Sequence, residues 1–206
     1  MQNPKEHWEN VYKTKQPDAV SWFQEHATRS LELIRSVGAS SKANIIDVGG
    51  GASTLVDDLL NNGFKNISVL DLSASSLEVA RKRLGAAADQ VTWIAGDICS
   101  VNLPDNVYDI WHDRAVFHFL TNLADRAAYV QQVMKSVKPG GHVIVATFAP
   151  DGPEQCSGLP VVRYAPRELH QQFGPSFELL EHMSEEHKTP WGSVQHFVYC
   201  HCLKPQ

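Results

Sequence analysis

The chain has 206 residues, of which 43% are apolar and 20% charged, proportions that suit one soluble globular domain with a sizeable core. A formal net charge of −5 offers nothing to attract a phosphate backbone or an anionic membrane, so neither nucleic acid nor a membrane is an expected partner. No apolar run approaches the roughly 20 residues that span a bilayer, and the opening MQNPKEHWEN lacks a signal-peptide core, so a cytoplasmic protein is expected.

The N-terminal stretch 7–23, HWENVYKTKQPDAVSWF, places Trp8, Tyr12, Trp22 and Phe23 ahead of any strand. These rings either cover a sheet edge or close over a ligand. A helix over 21–37 follows, with Leu31, Leu33, Ile34 and Val37 on its apolar side. From residue 44 strand and helix patterns alternate. Strands are predicted over 44–48, 66–71, 91–95, 107–112 and 141–148, and helices over 52–62, 73–84 and 121–137. This rhythm predicts a parallel sheet covered on both faces by helices. Asn62-Gly63 and Lys138-Pro139-Gly140-Gly141 look like helix ends with glycine caps, and Ser73 looks like an N-cap. Residues 149–165 form a Pro- and Gly-rich connection longer than most loops. A helix over 166–173 and strands over 176–182 and 194–203 close the chain as an antiparallel hairpin. The expected fold is α/β: a Rossmann-like, doubly wound, seven-stranded sheet, mostly parallel with that C-terminal hairpin. One domain covers 1–206, with a lid and helix in 1–40 and the core in 41–206.

The stretch NIIDVGGGAST at 44–54 reads as strand, glycine turn and helix start, the layout of a nucleotide site. It lacks the third glycine of the dinucleotide fingerprint, because Thr54 stands there. Asp47 sits two residues before Gly49, where an acid repels phosphate and welcomes an ammonium. Asp71 ends the second strand, the position from which a carboxylate takes the hydroxyls of a ribose. Asp97 ends the third strand, in reach of an adenine amino group. A nucleoside with a cationic amino-acid tail satisfies this layout, and S-adenosylmethionine is such a molecule.

In these motifs, D-V-G-G-G-A-S, V-L-D-L-S, G-D-I and K-P-G-G in that order, the chain resembles the class I S-adenosylmethionine-dependent methyltransferases from about residue 44 to 203. The resemblance implies that Asp47, Gly49, Gly50 and Gly51 hold the methionine part, Asp71 and Leu72 the ribose, and Asp97 and Ile98 the adenine. S-adenosylhomocysteine is the implied product, and no metal is needed. Ser53 replaces a glycine common in the family.

Methyl transfer from a sulfonium is an in-line displacement, so orientation supplies most of the rate and a base matters only when the acceptor must lose a proton. After the fourth strand, HDRAVFHFL at 112–120 supplies the acceptor-side residues: Asp113 and His118 as catalytic groups, Arg114 and Phe117 as substrate contacts. His118 is either a base or a satisfied core histidine, Asp113 and Arg114 are either substrate contacts or an ion pair pinning the loop, and His112 faces either side. Arg163, with Tyr164 beside it, suits an anionic acceptor or a surface ion pair. Cys156 is not expected to act as a nucleophile, and the four cysteines are expected to be reduced thiols without zinc.

Two branches of the family look similar in part. H-W-x-x-V-Y resembles small protein-lysine methyltransferases, in which the segment after strand four runs D-K-G-T-aromatic-D. Here Asp113 and Phe117 match, Arg114 replaces the lysine and His118 stands in place of the second acid. D-R-A at 113–115 resembles thiopurine-type enzymes, which carry D-R-G-A. The expected function is methyl transfer to an N, O or S nucleophile of a small molecule. The alternatives are protein-lysine methylation, which makes a protein substrate possible, and a non-catalytic S-adenosylmethionine-binding module.

Overall fold

The computed structural model describes residues 3–206. Strand β1 (Asn44–Val48) is a short apolar run buried on both faces, as a parallel strand covered by helices must be. It lies between β2 (Asn66–Asp71) and β4 (Tyr108–Arg114), both parallel to it. With β3 (Val91–Ala95), β5 (Val137–Phe148) and two two-residue strands, β6 (Gln155–Cys156) and β7 (Leu159–Pro160), the chain reaches the hairpin of β8 (Glu178–Lys188) and β9 (Val194–Leu203). The main sheet has seven strands in the order β3-β2-β1-β4-β5-β9-β8. Only its β5-β9 and β9-β8 pairings are antiparallel. The chain runs outward through β2 and β3, then returns to place β4 beside β1. The switch point therefore lies at the C-terminal ends of β1 and β4, where open sheets of this kind receive ligands.

Two cores cover the sheet. One packs Trp111, Val143 and Val145 against Tyr129 and Val133 of α5 (Leu123–Ser136) and Leu169 and Phe173 of α6 (Pro166–Phe173). The other packs Ile45, Ile110 and Ile144 against Leu33 and Ile34 of α2 (Thr28–Ser36), Leu55 and Leu59 of α3 (Leu55–Asn61), and Leu77 of α4 (Ala74–Leu84).

Local chemistry explains most boundaries. Ser73 caps α4 by accepting the Ser76 amide at 3.2 Å, and Gly63, at φ +83, follows the last turn of α3 as an αL glycine should. The helix expected from residue 52 begins at Leu55, because residues 50–53 close a turn through the Ser53 amide and the Gly50 carbonyl at 2.7 Å. Lys138-Pro139-Gly140-Gly141 caps no helix. α5 ends at Ser136, β5 starts at once, and these residues fill a bulge where the register jumps from Tyr108↔Val137 to Ile110↔His142. The helix expected over 21–37 shrinks to α2, while α1 (Pro4–Thr14) forms where none was expected. Its start is legible in hindsight: Asn3 accepts the Lys5 amide at 3.0 Å, and Pro4 occupies the first turn.

Strand β4 is tied to α5 by a buried polar chain. Trp111 Nε1 donates to the Tyr129 hydroxyl at 2.9 Å, and that hydroxyl donates to Asp113 Oδ2 at 2.7 Å. Replacing Tyr129 with Phe leaves the buried Trp111 Nε1 without an acceptor and removes one of the donors to Asp113, and should destabilise the fold by about 1–3 kcal/mol. Urea unfolding monitored by tryptophan fluorescence measures this, and an unchanged midpoint would show that the chain contributes nothing to stability.

Candidate functional site

The turn after β1 brings backbone close to two acids. Gly49, at φ +71, donates its amide to the Leu70 carbonyl at 2.7 Å, which carries the β1-β2 pairing into the turn. A Cβ on Gly50 would stand 2.3 Å from Asp47 Oδ2, and one on Gly51 would stand 2.4 Å from Asp71 Oδ2. Glycine is required at both positions because the carboxylates occupy that space. Asp47 is 2% exposed, and its Oδ2 has no hydrogen-bond partner. Asp71 accepts the Ser73 amide at 2.8 Å, and burial pushes its carboxyl up to about 6 despite the opposing bonds from Ser73 and Ser76.

The other oxygen of Asp47 is held. Asp47 and His112 face each other across β1 and β4, and His112 Nδ1 lies 2.7 Å from Asp47 Oδ1. His112 Nε2 lies 2.8 Å from Ser30 Oγ on α2. Beyond them, Arg114 pairs with Glu185 of β8 at 3.1 Å, donates to the Tyr199 hydroxyl at 3.1 Å and lies 4.0 Å over the Phe197 ring. Gln24 donates to the second oxygen of Glu185 at 3.0 Å, which ties the N-terminal segment to the hairpin.

That segment roofs the site. Glu9 of α1 accepts the Ala74 amide at 2.7 Å and the Ser75 hydroxyl, so α1 sits over the start of α4 beside Asp71. Trp8, Tyr12, Trp22 and Phe119 pack edge to face or tilted, with ring centroids 5.3–6.4 Å apart. Beneath them a cavity of about 50 Å³ reaches Asp47, Gly49, His112 and Arg114.

The expected cofactor residues converge here. Asp47, Gly49, Gly50, Gly51, Asp71 and the half-buried Leu72 cluster at the ends of β1 and β2. Exposed Asp97 follows β3 and accepts the Cys99 amide at 2.9 Å, with Ile98 buried beside it. The acceptor-side residues are dispersed instead. Asp113 lies on the opposite face of β4 from His112, and its carboxylate accepts the Val116 and Phe117 amides and the Tyr129 hydroxyl. It braces the turn inside the core, and a catalytic role for it does not survive. Nor does an Asp113-Arg114 ion pair, since Arg114 pairs with Glu185. Phe117 and Tyr164 are core residues whose tilted rings lie 5.8 Å apart, and Arg163 pairs near the surface with Glu154 at 3.1 Å. Of the four expected substrate contacts only Arg114 lines the cavity. His112, Ser30, Gln24, Glu185 and Tyr199 were missed as site residues. Parity along β4 was the available signal for His112, since Ile110 and His112 must share a face.

His118 is fully buried between Phe119 and Phe148, at ring distances of 4.5 and 4.8 Å. Its Nδ1 accepts a long 3.5 Å bond from the Phe148 amide, and its Nε2 has no partner. Burial, then the charge of Arg114, holds its pKa down to about 3. His118 is therefore expected to stay neutral across the range of about pH 5 to 8 in which ordinary histidines change charge. NMR titration should find its ring resonances flat there, and a titrating His118 would refute the buried, neutral placement.

Comparison with known proteins bears on the fold and on the stretch that carries the glycine turn. A family profile described as a methyltransferase domain matches residues 46–145. The ubiquinone/menaquinone biosynthesis C-methyltransferase of Roseobacter denitrificans is 30% identical over 108 residues, 51% of this chain and 42% of that protein. The demethylmenaquinone methyltransferase of Renibacterium salmoninarum is 26% identical, over 64% of this chain and 52% of its own. The chain thus spans about half the length of these relatives. Among solved structures, one from echinomycin biosynthesis, on conversion of a disulfide bond into a thioacetal group, aligns with a TM-score of 0.81 at 15% identity, covering 98% and 93% of the two chains. A methyltransferase of Anabaena variabilis, described as dependent on S-adenosylmethionine, aligns at 0.75 and 18% identity, covering 99% and 96%. At such identities these two structures speak for the fold alone, while the stretch 46–145, just under half of the chain, is similar to the methyltransferase domain.

Proposed function

We propose that this protein transfers a methyl group from S-adenosylmethionine to a nucleophile of a small molecule. The observation that carries the reading is the unpartnered Oδ2 of Asp47, buried against Gly50, where any side chain would collide with it. A buried anionic oxygen without a donor is costly, and an ammonium supplies both donor and charge. The same glycine turn opens Asp71 to a diol through Gly51. The residues fit the cofactor: Asp47, Gly49, Gly50 and Gly51 would hold its amino-acid end, Asp71 and Leu72 its ribose, and Asp97 with Ile98 its adenine. S-adenosylmethionine, when bound, supplies an electrophilic methyl group on a sulfonium. The protein's own part is to align the acceptor and exclude water, and the aromatic roof of Trp8, Tyr12, Trp22 and Phe119 suits that task. The cavity of about 50 Å³ is far smaller than the ~300 Å³ and more of ordinary ligand sites, so the segment carrying Tyr12 and Trp22 acts as a lid that moves to admit ligands.

A small acceptor fits this enclosed site better than a protein chain does. The names of the relatives, which place them in ubiquinone and menaquinone biosynthesis, support a small acceptor as well. Lysine recognition calls for a free carboxylate near the acceptor; Glu185 is already engaged by Arg114 and Gln24, and His118 is uncharged.

Asp71 binds a diol best as the anion, so affinity for S-adenosylhomocysteine should fall as pH drops through about 6, where the carboxyl takes up its proton. Asp71→Ala should weaken binding by about 1.5–3 kcal/mol and flatten that pH dependence. Calorimetry between pH 5 and 8 tests both, and unchanged affinity in the variant would remove Asp71 from the site.

Methyl-labelled S-adenosylmethionine added to a cell extract, followed by size filtration, tests the acceptor class, with Gly51→Val as the inactive control. Label in the small fraction is expected. Label on a discrete protein would put lysine methylation first.

A further inference from the structure

The relay behind Asp47 does more than fill the core. Asp47, His112 and Ser30 lie on β1, β4 and α2, and all three are buried to 3% exposure or less. A carboxylate only accepts hydrogen bonds, so at 2.7 Å His112 Nδ1 must be the protonated nitrogen and the donor. In the neutral ring Nε2 then accepts, which makes the Ser30 hydroxyl, 2.8 Å away, its donor. Ser30 in turn lies 3.4 Å from the Tyr199 hydroxyl on β9. The chain of bonds fixes the tautomer and the ring plane, and through them the rotation of the carboxylate. One oxygen of Asp47 is occupied, and the other is aimed at the glycine turn, buried and unpartnered. Without the His112 donor, the carboxylate would have two free oxygens and nothing to choose between them.

We infer that His112, itself held by Ser30, is a positioning residue that orients Asp47 to read the α-amino group of the bound nucleoside, and so sets selectivity for nucleosides that carry an amino acid. This rests on the cofactor reading above. It predicts a split that general loss of packing would not produce. S-adenosylhomocysteine carries the amino acid, whereas 5′-methylthioadenosine keeps the nucleoside and thioether but has no amino group to read.

The test is calorimetric binding of both ligands to the wild-type protein and to His112→Leu, His112→Asn and Ser30→Ala. His112→Leu should lose about 10-fold or more in affinity for S-adenosylhomocysteine, by analogy with the loss when an orienting partner behind a metal-binding side chain is removed. Its affinity for 5′-methylthioadenosine should stay close to that of the wild type, because that ligand offers Asp47 no amino group. His112→Asn, whose amide N–H replaces the Nδ1 donor, should recover most of the loss. Ser30→Ala, which frees the ring without removing the donor, should show a smaller loss of the same kind. If His112→Leu does not fold, the asparagine and Ser30 variants carry the comparison. Equal losses for the two ligands, or no loss for S-adenosylhomocysteine, would overturn the inference while leaving the cofactor reading intact. A wild-type protein that binds neither ligand would overturn both.

Discussion

A carboxylate taken out of water at the end of a central strand costs several kcal/mol unless something replaces its hydration. Asp47 is such a group, and much of the site can be understood as its solvation. The neighbouring strand supplies one donor through His112, and α2 stabilises that donor through Ser30. The remaining oxygen has no partner within the protein, and in the proposed cofactor complex an ammonium would supply one. The glycine turn follows from the same constraint, because a side chain at Gly50 would occupy the space that oxygen needs.

Strand β4 divides two kinds of chemistry between its faces. Trp111 and Asp113 point toward α5, where Tyr129 joins them into a closed, satisfied chain with no capacity left for a ligand. Ile110 and His112 point the other way, toward α2 and the Asp47 side chain. Two buried acids on neighbouring strands, Asp47 opposite His112 and Asp113 opposite Val48, thus differ in that Asp113 has its acceptor capacity used and Asp47 does not.

The N-terminal segment links this interior to the entrance. It is fastened beside Asp71 by Glu9, at the hairpin by Gln24 on Glu185, and by the Ser21 carbonyl on His187 at 2.7 Å. These are few polar contacts around a cluster of aromatic rings, the kind of attachment that opens at lower cost than a core strand. Arg114 lies where the roof, the sheet and the hairpin meet. Its charge is neutralised by Glu185 and its face is covered by Phe197, so it is a fixed, paired cation. Among the described residues no helix is long and apolar enough to cross a membrane.

The sequence by itself determined the strand and helix rhythm, the parallel sheet with its closing hairpin, and the acids at the ends of β1, β2 and β3. These are local properties: apolar runs bounded by glycine, caps set by one or two residues, and a motif contained in 44–54. It placed the start of β5 too late, at 141 instead of Val137, because Pro139 and the glycines looked like a helix cap and a bulge is defined by the partner strand. It also assigned Asp113, Phe117, Tyr164 and Arg163 to the acceptor side. Those side chains are placed by contacts that no local pattern contains. Asp47 meets His112 across 65 residues of chain, His112 meets Ser30 across 82, and Arg114 meets Glu185 across 71. Only the tertiary structure decided which face of β4 met the ligand side and which buried group kept an oxygen free, because both depend on what packs against each face.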